Sequence, residues 1–98
     1  MKLEFSVAAE EDLIEVYLYG AANFGVDQAE RYHRDLRKTF DILVAYPLLA
    51  REHDEFTPPV RIHFHKSHVI VYTADSQRLF VVRVLGERQD WQSILSGD

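Results

Sequence analysis

Five residues in the second half of the chain could do chemistry by type and spacing: Arg61, His63, His65, His68 and Arg83. A guanidinium held in a sheet can grip a phosphate through two parallel hydrogen bonds and stabilise charge in a transition state. The plain alternative for Arg61 and Arg83 is pairing with carboxylates, of this chain or of a partner. Phosphate chemistry would also want a general base and more positive charge. Imidazoles titrate near neutrality, and two on one strand face with a third past a turn could hold a metal. No further cysteine or carboxylate ligand stands nearby, which favours a polar strand edge beside a turn. The chain has no cysteine, no glycine-rich phosphate loop and no metal motif of recognised spacing, so neither metal nor cofactor is expected.

These residues need a sheet to hold them, and the pattern supplies one. Val60 to His65 alternates, with Arg61, His63 and His65 on one face and Ile62 and Phe64 on the other. Lys66-Ser67 is short enough for a tight turn. Val69 to Thr73 is β-branched and apolar on both faces, as a central strand should be. Asp75-Ser76-Gln77 makes a second turn, and Leu79 to Leu85 a further strand. Asp90 to Leu95 suits a short closing helical turn.

The first half is helical. Leu3 to Ser6 reads as a short strand, and Ser6 sits where a helix cap belongs. Glu10, Glu11 and Asp12 suit the positive end of that helix and are most simply a solvated start. Leu13, Val16, Tyr17, Gly20 and Phe24 recur at helical spacing, and Gly25 is a plausible stop. Asp27 and Glu30 have capping-box spacing for a second helix. Ala29, Tyr32, Leu36, Phe40 and Leu43 form its apolar stripe, and Pro47 ends it near Tyr46. The short connection predicts an antiparallel hairpin. Leu48 to Pro59 reads as irregular and polar. The fold class is α+β: an N-terminal strand and a two-helix hairpin, about Ala8 to Ala45, packed on one face of a small antiparallel sheet.

A hairpin covers only one face of a sheet. Strict alternation puts Ile62, Phe64, Phe80, Val82 and Val84 towards it and Arg61, Val81, Arg83 and Leu85 away. That outer face, partly apolar and carrying two guanidiniums, suits a partner. Trp91 is either a lid over the core or a partner anchor. None of the five tyrosines is a sharp catalytic signal.

With 98 residues, one domain spanning 1–98 is expected, with little room for a deep private pocket. The absence of cysteine favours a reducing cytoplasm. Met1 to Ser6 lacks the pattern of a signal peptide, and no apolar run approaches the roughly 20 residues that span a bilayer. The net charge is −5, from 11 Lys and Arg against 16 Asp and Glu. Proteins that grip phosphate backbones rely on Lys and Arg, so neither ribosome docking nor direct nucleic-acid binding is expected.

From Phe5 to about Leu95 the chain resembles ParE-type toxins of the RelE/ParE superfamily. The resemblance rests on segments in fixed order: Ser6, Ala9, Asp12-Leu13, Tyr19, Phe24-Gly25 and Gln28-Ala29, then Tyr32, Leu36, Phe40, Leu43 and Pro47. It continues through Val60-Arg61, Ser67 to Ile70, Tyr72, Arg83-Val84-Leu85 and Arg88 to Trp91. The resemblance implies the superfamily fold and a toxin of a type II toxin–antitoxin system, serving plasmid or chromosomal stabilisation. It implies a ParD-like ribbon-helix-helix antitoxin whose tail folds along the toxin in a hetero-oligomer. It also implies DNA gyrase as target, poisoned by binding without catalysis. The alternative is a ribosome-dependent mRNA endoribonuclease of RelE type using Arg61 and Arg83. Many ParE-like sequences carry a histidine after Arg-Val-Leu; here that position is Gly86, which weakens the ribonuclease reading. The antitoxin is expected on Arg61, Val81, Arg83 and Leu85, and the target on Arg83, Arg88, Asp90 and Trp91.

Overall fold

Ser6 sets the first helix in place. Its backbone is extended, its hydroxyl oxygen accepts from the Ala9 N–H at 2.9 Å, and its O–H donates to the Val82 carbonyl at 2.7 Å. One side chain thus caps a helix and ties it to a strand distant in sequence. In the computed structural model, which describes residues 1–97, β1 (Lys2–Phe5) precedes α1 (Val7–Phe24) and α2 (Val26–Ala45). Then come β2 (Glu52–His53), β3 (Val60–His65), β4 (His68–Ala74), β5 (Arg78–Gly86) and α3 (Trp91–Ser96).

Gly25 is the whole joint between α1 and α2. It sits at φ 91°, a region that side chains other than glycine's rarely adopt, and it closes one helix while opening the next. No side-chain cap starts α2, so the capping box expected from Asp27 and Glu30 is not formed. Asp27 instead lies in the first turn, where its charge still suits the helix dipole. Tyr46 ends α2, ahead of Pro47, as its sequence requires.

The sheet order is β1-β5-β4-β3-β2. β3, β4 and β5 form the expected antiparallel meander, turning at Lys66-Ser67 with Lys66 at φ 52°. The Leu48–Pro59 segment is less irregular than its composition suggests: β2 pairs with β3 across Glu52 and Arg61. β1 runs parallel to β5, Lys2 opposite Arg78 and Phe5 opposite Val81, so this edge of the sheet is not antiparallel.

Both faces of the sheet are covered. On one, Leu36, Phe40 and Leu43 of α2 and Ala9 of α1 pack with Ile70, Tyr72, Leu79, Val81 and Val84. On the other, Val60, Ile62, Val69 and Val71 pack with Phe56, Val82, Trp91 and Leu95. The expected facing is therefore corrected. Val81 points to the hairpin, while Ile62 and Val82 belong to the opposite face. A bulge between β4 and β5 pairs Val71 with Arg83 but Tyr72 with Val81. It inserts one residue into β5, so alternation read straight through that strand loses its phase. β3 presents Arg61 and His65 towards the helical side, where Ala50 and Thr39 receive them. The second face is closed by the Phe56 loop and α3, where Trp91 packs half-buried.

Candidate functional site

Arg83 projects from β5 to α1, where Nε and Nη2 meet the two oxygens of Asp12 at 2.8 and 3.0 Å. The same carboxylate accepts the Val84 N–H at 2.9 Å. β1 ends at Phe5, opposite Val81, so beyond it the edge of β5 lacks a strand partner and Asp12 takes that place. Asp12 is hence not part of a solvated helix start. Its hydrogen-bonded carboxylate strengthens the hold of Arg83 on its proton.

Arg61 is also committed within the chain. Its Nη1 donates to the Ala50 carbonyl at 2.7 Å, and the Tyr72 hydroxyl donates to Pro47 O at 2.9 Å. Together they fasten the loop after α2 to β3 and β4. Val81 and Leu85 are buried, at 0% and 2% exposure. Arg61, Val81, Arg83 and Leu85 therefore do not make one open face, and this expectation is corrected. Of the four target candidates, Arg83 is engaged as described. Arg88 and Asp90 are exposed, with Asp90 accepting from Ser93 Oγ at 2.8 Å before α3. Trp91 stands edge-to-face with Phe64, ring centroids 6.1 Å apart.

The histidines form a cluster that their sequence spacing only half reveals. His65 and His68 stand opposite each other across the β3–β4 turn. Tyr32 of α2 lies between their rings, with Lys66 Nζ 5.6 Å from its ring centre. Tyr32 Oη hydrogen-bonds His68 Nδ1, and Thr39 Oγ1 bonds His65 Nδ1 at 2.9 Å. Burial pushes both imidazoles below their ordinary 6.5 and pushes the Tyr32 phenol up. His65 Nε2 is buried without a partner. Among the described residues no group of His, Asp and Glu could hold a metal ion. The cluster borders a groove of about 380 Å³ between the hairpin tip and the β3–β4 turn. Tyr19 and Phe24 line one side and Lys66, Ser67 and His68 the other, with Gly20 and Ala29 where the helices cross.

Sequence spacing also missed the outward side of α1. Val7, Ile14 and Leu18 are all exposed there, and only Ala9 of this helix is fully buried. The signal was present, because α1 carries more apolar residues than one buried stripe requires.

Residues 3–91 match the family described as ParE toxin of type II toxin-antitoxin system, parDE. The chain belongs to the ParE toxin family. Toxin ParE1 of Mycobacterium tuberculosis is 37% identical over 86 residues, covering 87% of this chain and 88% of that protein. Toxin ParE1 of Caulobacter vibrioides is 29% identical over 77 residues, 79% of each. A solved structure titled as the chromosomal ParDE TA system from P. aeruginosa superposes with a TM-score of 0.74 at 19% identity, covering 88% of this chain and 95% of that one. At that identity the likeness speaks for the fold, and it agrees with the RelE/ParE arrangement of hairpin and sheet. Among the described residues no helix of this ParE-family chain is long and apolar enough to cross a membrane.

Proposed function

We propose that this ParE-family toxin acts in the cytoplasm by binding DNA gyrase without chemistry of its own, and that a cognate ParD-like antitoxin silences it by direct contact. The observation that carries the reading is the bidentate Arg83–Asp12 pair. A guanidinium held by both oxygens of a carboxylate is not free to receive a scissile phosphate, and Arg61 is likewise bound to the Ala50 carbonyl. Phosphodiester cleavage also needs a group to accept a proton and another to donate one. Binding needs only a complementary surface, and Arg88 with the neighbouring Trp91 and Phe64 is the part we assign to the target. Arg83 and Arg61 instead hold α1 to the edge of β5 and the Ala50 loop to β3.

Expression without antitoxin separates this reading from an endoribonuclease. We expect gyrase-linked DNA breaks that persist in His63→Ala and His65→Ala. Discrete mRNA cuts within codons, abolished by Arg61→Ala, would overturn it.

A further inference from the structure

The groove between the hairpin tip and the β3–β4 turn joins two chemistries. Its wall on α1 is aromatic: Tyr19 and Phe24 stand edge-to-face, ring centroids 6.4 Å apart, yet are 67% and 64% exposed. Its floor is shallow-sided, because a Cβ at Gly20 would already lie 3.4 Å from the Ala29 Cβ. Its volume of about 380 Å³ is within the range of small-molecule sites. At the other end it runs into a polar pocket of about 240 Å³, and Gln28, Tyr32 and Lys66 line both. Arg31 and Asp35 complete that pocket. Lys66 gives one N–H to Asp35 at 2.8 Å, which leaves two uncommitted. Arg31 Nη2 reaches only Gln28 Oε1, at 3.5 Å, and among the described residues Arg31 has no carboxylate partner. The Ser67 hydroxyl stands 3.4 Å from His68 Nδ1, which Tyr32 Oη already occupies. Two cations against one carboxylate make this end locally positive in a chain of net charge −5.

We propose that the groove and its polar end together bind a small aromatic anion of the size of a nucleoside monophosphate. The ring lies against Tyr19 and Phe24, and the phosphate meets Arg31 and Lys66. Stacking on an aromatic side chain suits any base, since every base has a π-face. A guanidinium offers phosphate two parallel donors, and an ammonium adds a point charge. The Gln28 amide, common to both parts, can donate to or accept from the ring edge or the sugar. A nucleic-acid strand is not the occupant. Its many phosphates would meet the negative field of the whole chain, whereas a single phosphate meets only the local positive charge. A purely apolar side chain of a protein would use the aromatic wall and leave the cationic end idle.

The test is titration calorimetry of the full-length toxin with adenosine monophosphate, adenosine and inorganic phosphate. The monophosphate should bind saturably with Kd below about 1 mM, and each of the other two about 10-fold or more weaker. Tyr19→Ser with Phe24→Ser should weaken the monophosphate about 10-fold or more through lost stacking. Arg31→Glu should weaken it by about 10-fold as well and remove most of its salt dependence. Gln28→Trp, which fills the junction of the two parts, should abolish binding. Arg51→Ala, exposed beyond the far end of α2, should stay within about twofold. Circular dichroism should show every variant folded, since all these positions are exposed. Inorganic phosphate binding as tightly as the monophosphate would reduce the site to an anion contact and overturn the proposal. Adenosine binding as tightly would remove the role of the cations and overturn it too. So would unchanged affinity in both the serine pair and Arg31→Glu, or no saturable binding up to about 5 mM. None of these outcomes bears on the toxin–antitoxin reading, which stands or falls by its own test.

Discussion

α1 and α2 are similar in length and lie side by side, yet they use their surfaces oppositely. α2 puts Ala29, Leu36, Phe40 and Leu43 into the core and turns Arg31, Arg34, Arg37 and Lys38 outward. Its buried stripe takes up most of its apolar residues, with Val26 and Ile42 left exposed. α1 buries only Ala9 completely, leans Leu13 and Val16 on the core, and exposes Val7, Ile14, Leu18 and Tyr19. What holds it in place is largely polar: the Ser6 cap at its start and Asp12 against β5. Apolar content therefore measures folding in α2 better than in α1, where much of it stays on the surface.

The sharpest way to break this contrast is truncation of matched apolar residues. Phe40→Ala removes a ring that is 3% exposed and meets Phe5 edge-to-face, and should cost about 3–5 kcal/mol in urea denaturation. Leu18→Ala should change stability by no more than about 0.5 kcal/mol. Similar losses at the two sites would erase the distinction.

Next in size is the polar anchor. Asp12→Ala strands a partly buried guanidinium and the Val84 N–H together, and should destabilise by about 2–4 kcal/mol. Arg83→Ala leaves the Asp12 carboxylate its bond from the Val84 N–H, so the loss should be smaller. If Asp12→Ala proved the milder change, the carboxylate would not be what ties α1 to the sheet.

The smallest expected effect concerns α2 at its contact with the β3–β4 turn. His65 and His68 have folded pKa values depressed by burial, below the ordinary 6.5. As pH falls past 6.5 the unfolded chain takes up protons before the folded one, so it gains relative to the folded state. The stability contributed by the neutral rings is complete above 6.5 and declines down to the folded pKa values, with no further loss below them. The urea midpoint should drop between pH 7.5 and pH 5.5, and His65→Gln should reduce that drop. An undiminished drop in the variant would place the titration elsewhere.

Much of the fold was legible because punctuation and period agreed. Ser6, Gly25 and Pro47 bound the helices as expected, and Lys66-Ser67 marks the hairpin turn. The facing of β5 was not legible. A bulge between strands leaves no mark in a run such as Phe80-Val81-Val82-Arg83, where neighbours are equally apolar and either phase looks sound. The second layer was missed because α3 and the Phe56 loop are short, so the far face was assumed bare. Site residues suffered most. Nothing local to Arg83 reveals that its carboxylate lies 71 residues earlier, and Tyr32 gives no hint that it will sit between two histidines.

The parallel pairing of β1 with β5 has a consequence for the birth of the molecule. Lys2 through Phe5 find their neighbours only at Arg78 through Val81, and Asp12 finds Arg83 later still. A ribosome making this chain must complete about four fifths of it before the first strand has anything to pair with. The helical hairpin is synthesised early but waits beside an unfinished sheet. In a family of toxins, that ordering delays assembly until Arg78 to Arg83 have been made, because β1 and α1 are completed by β5.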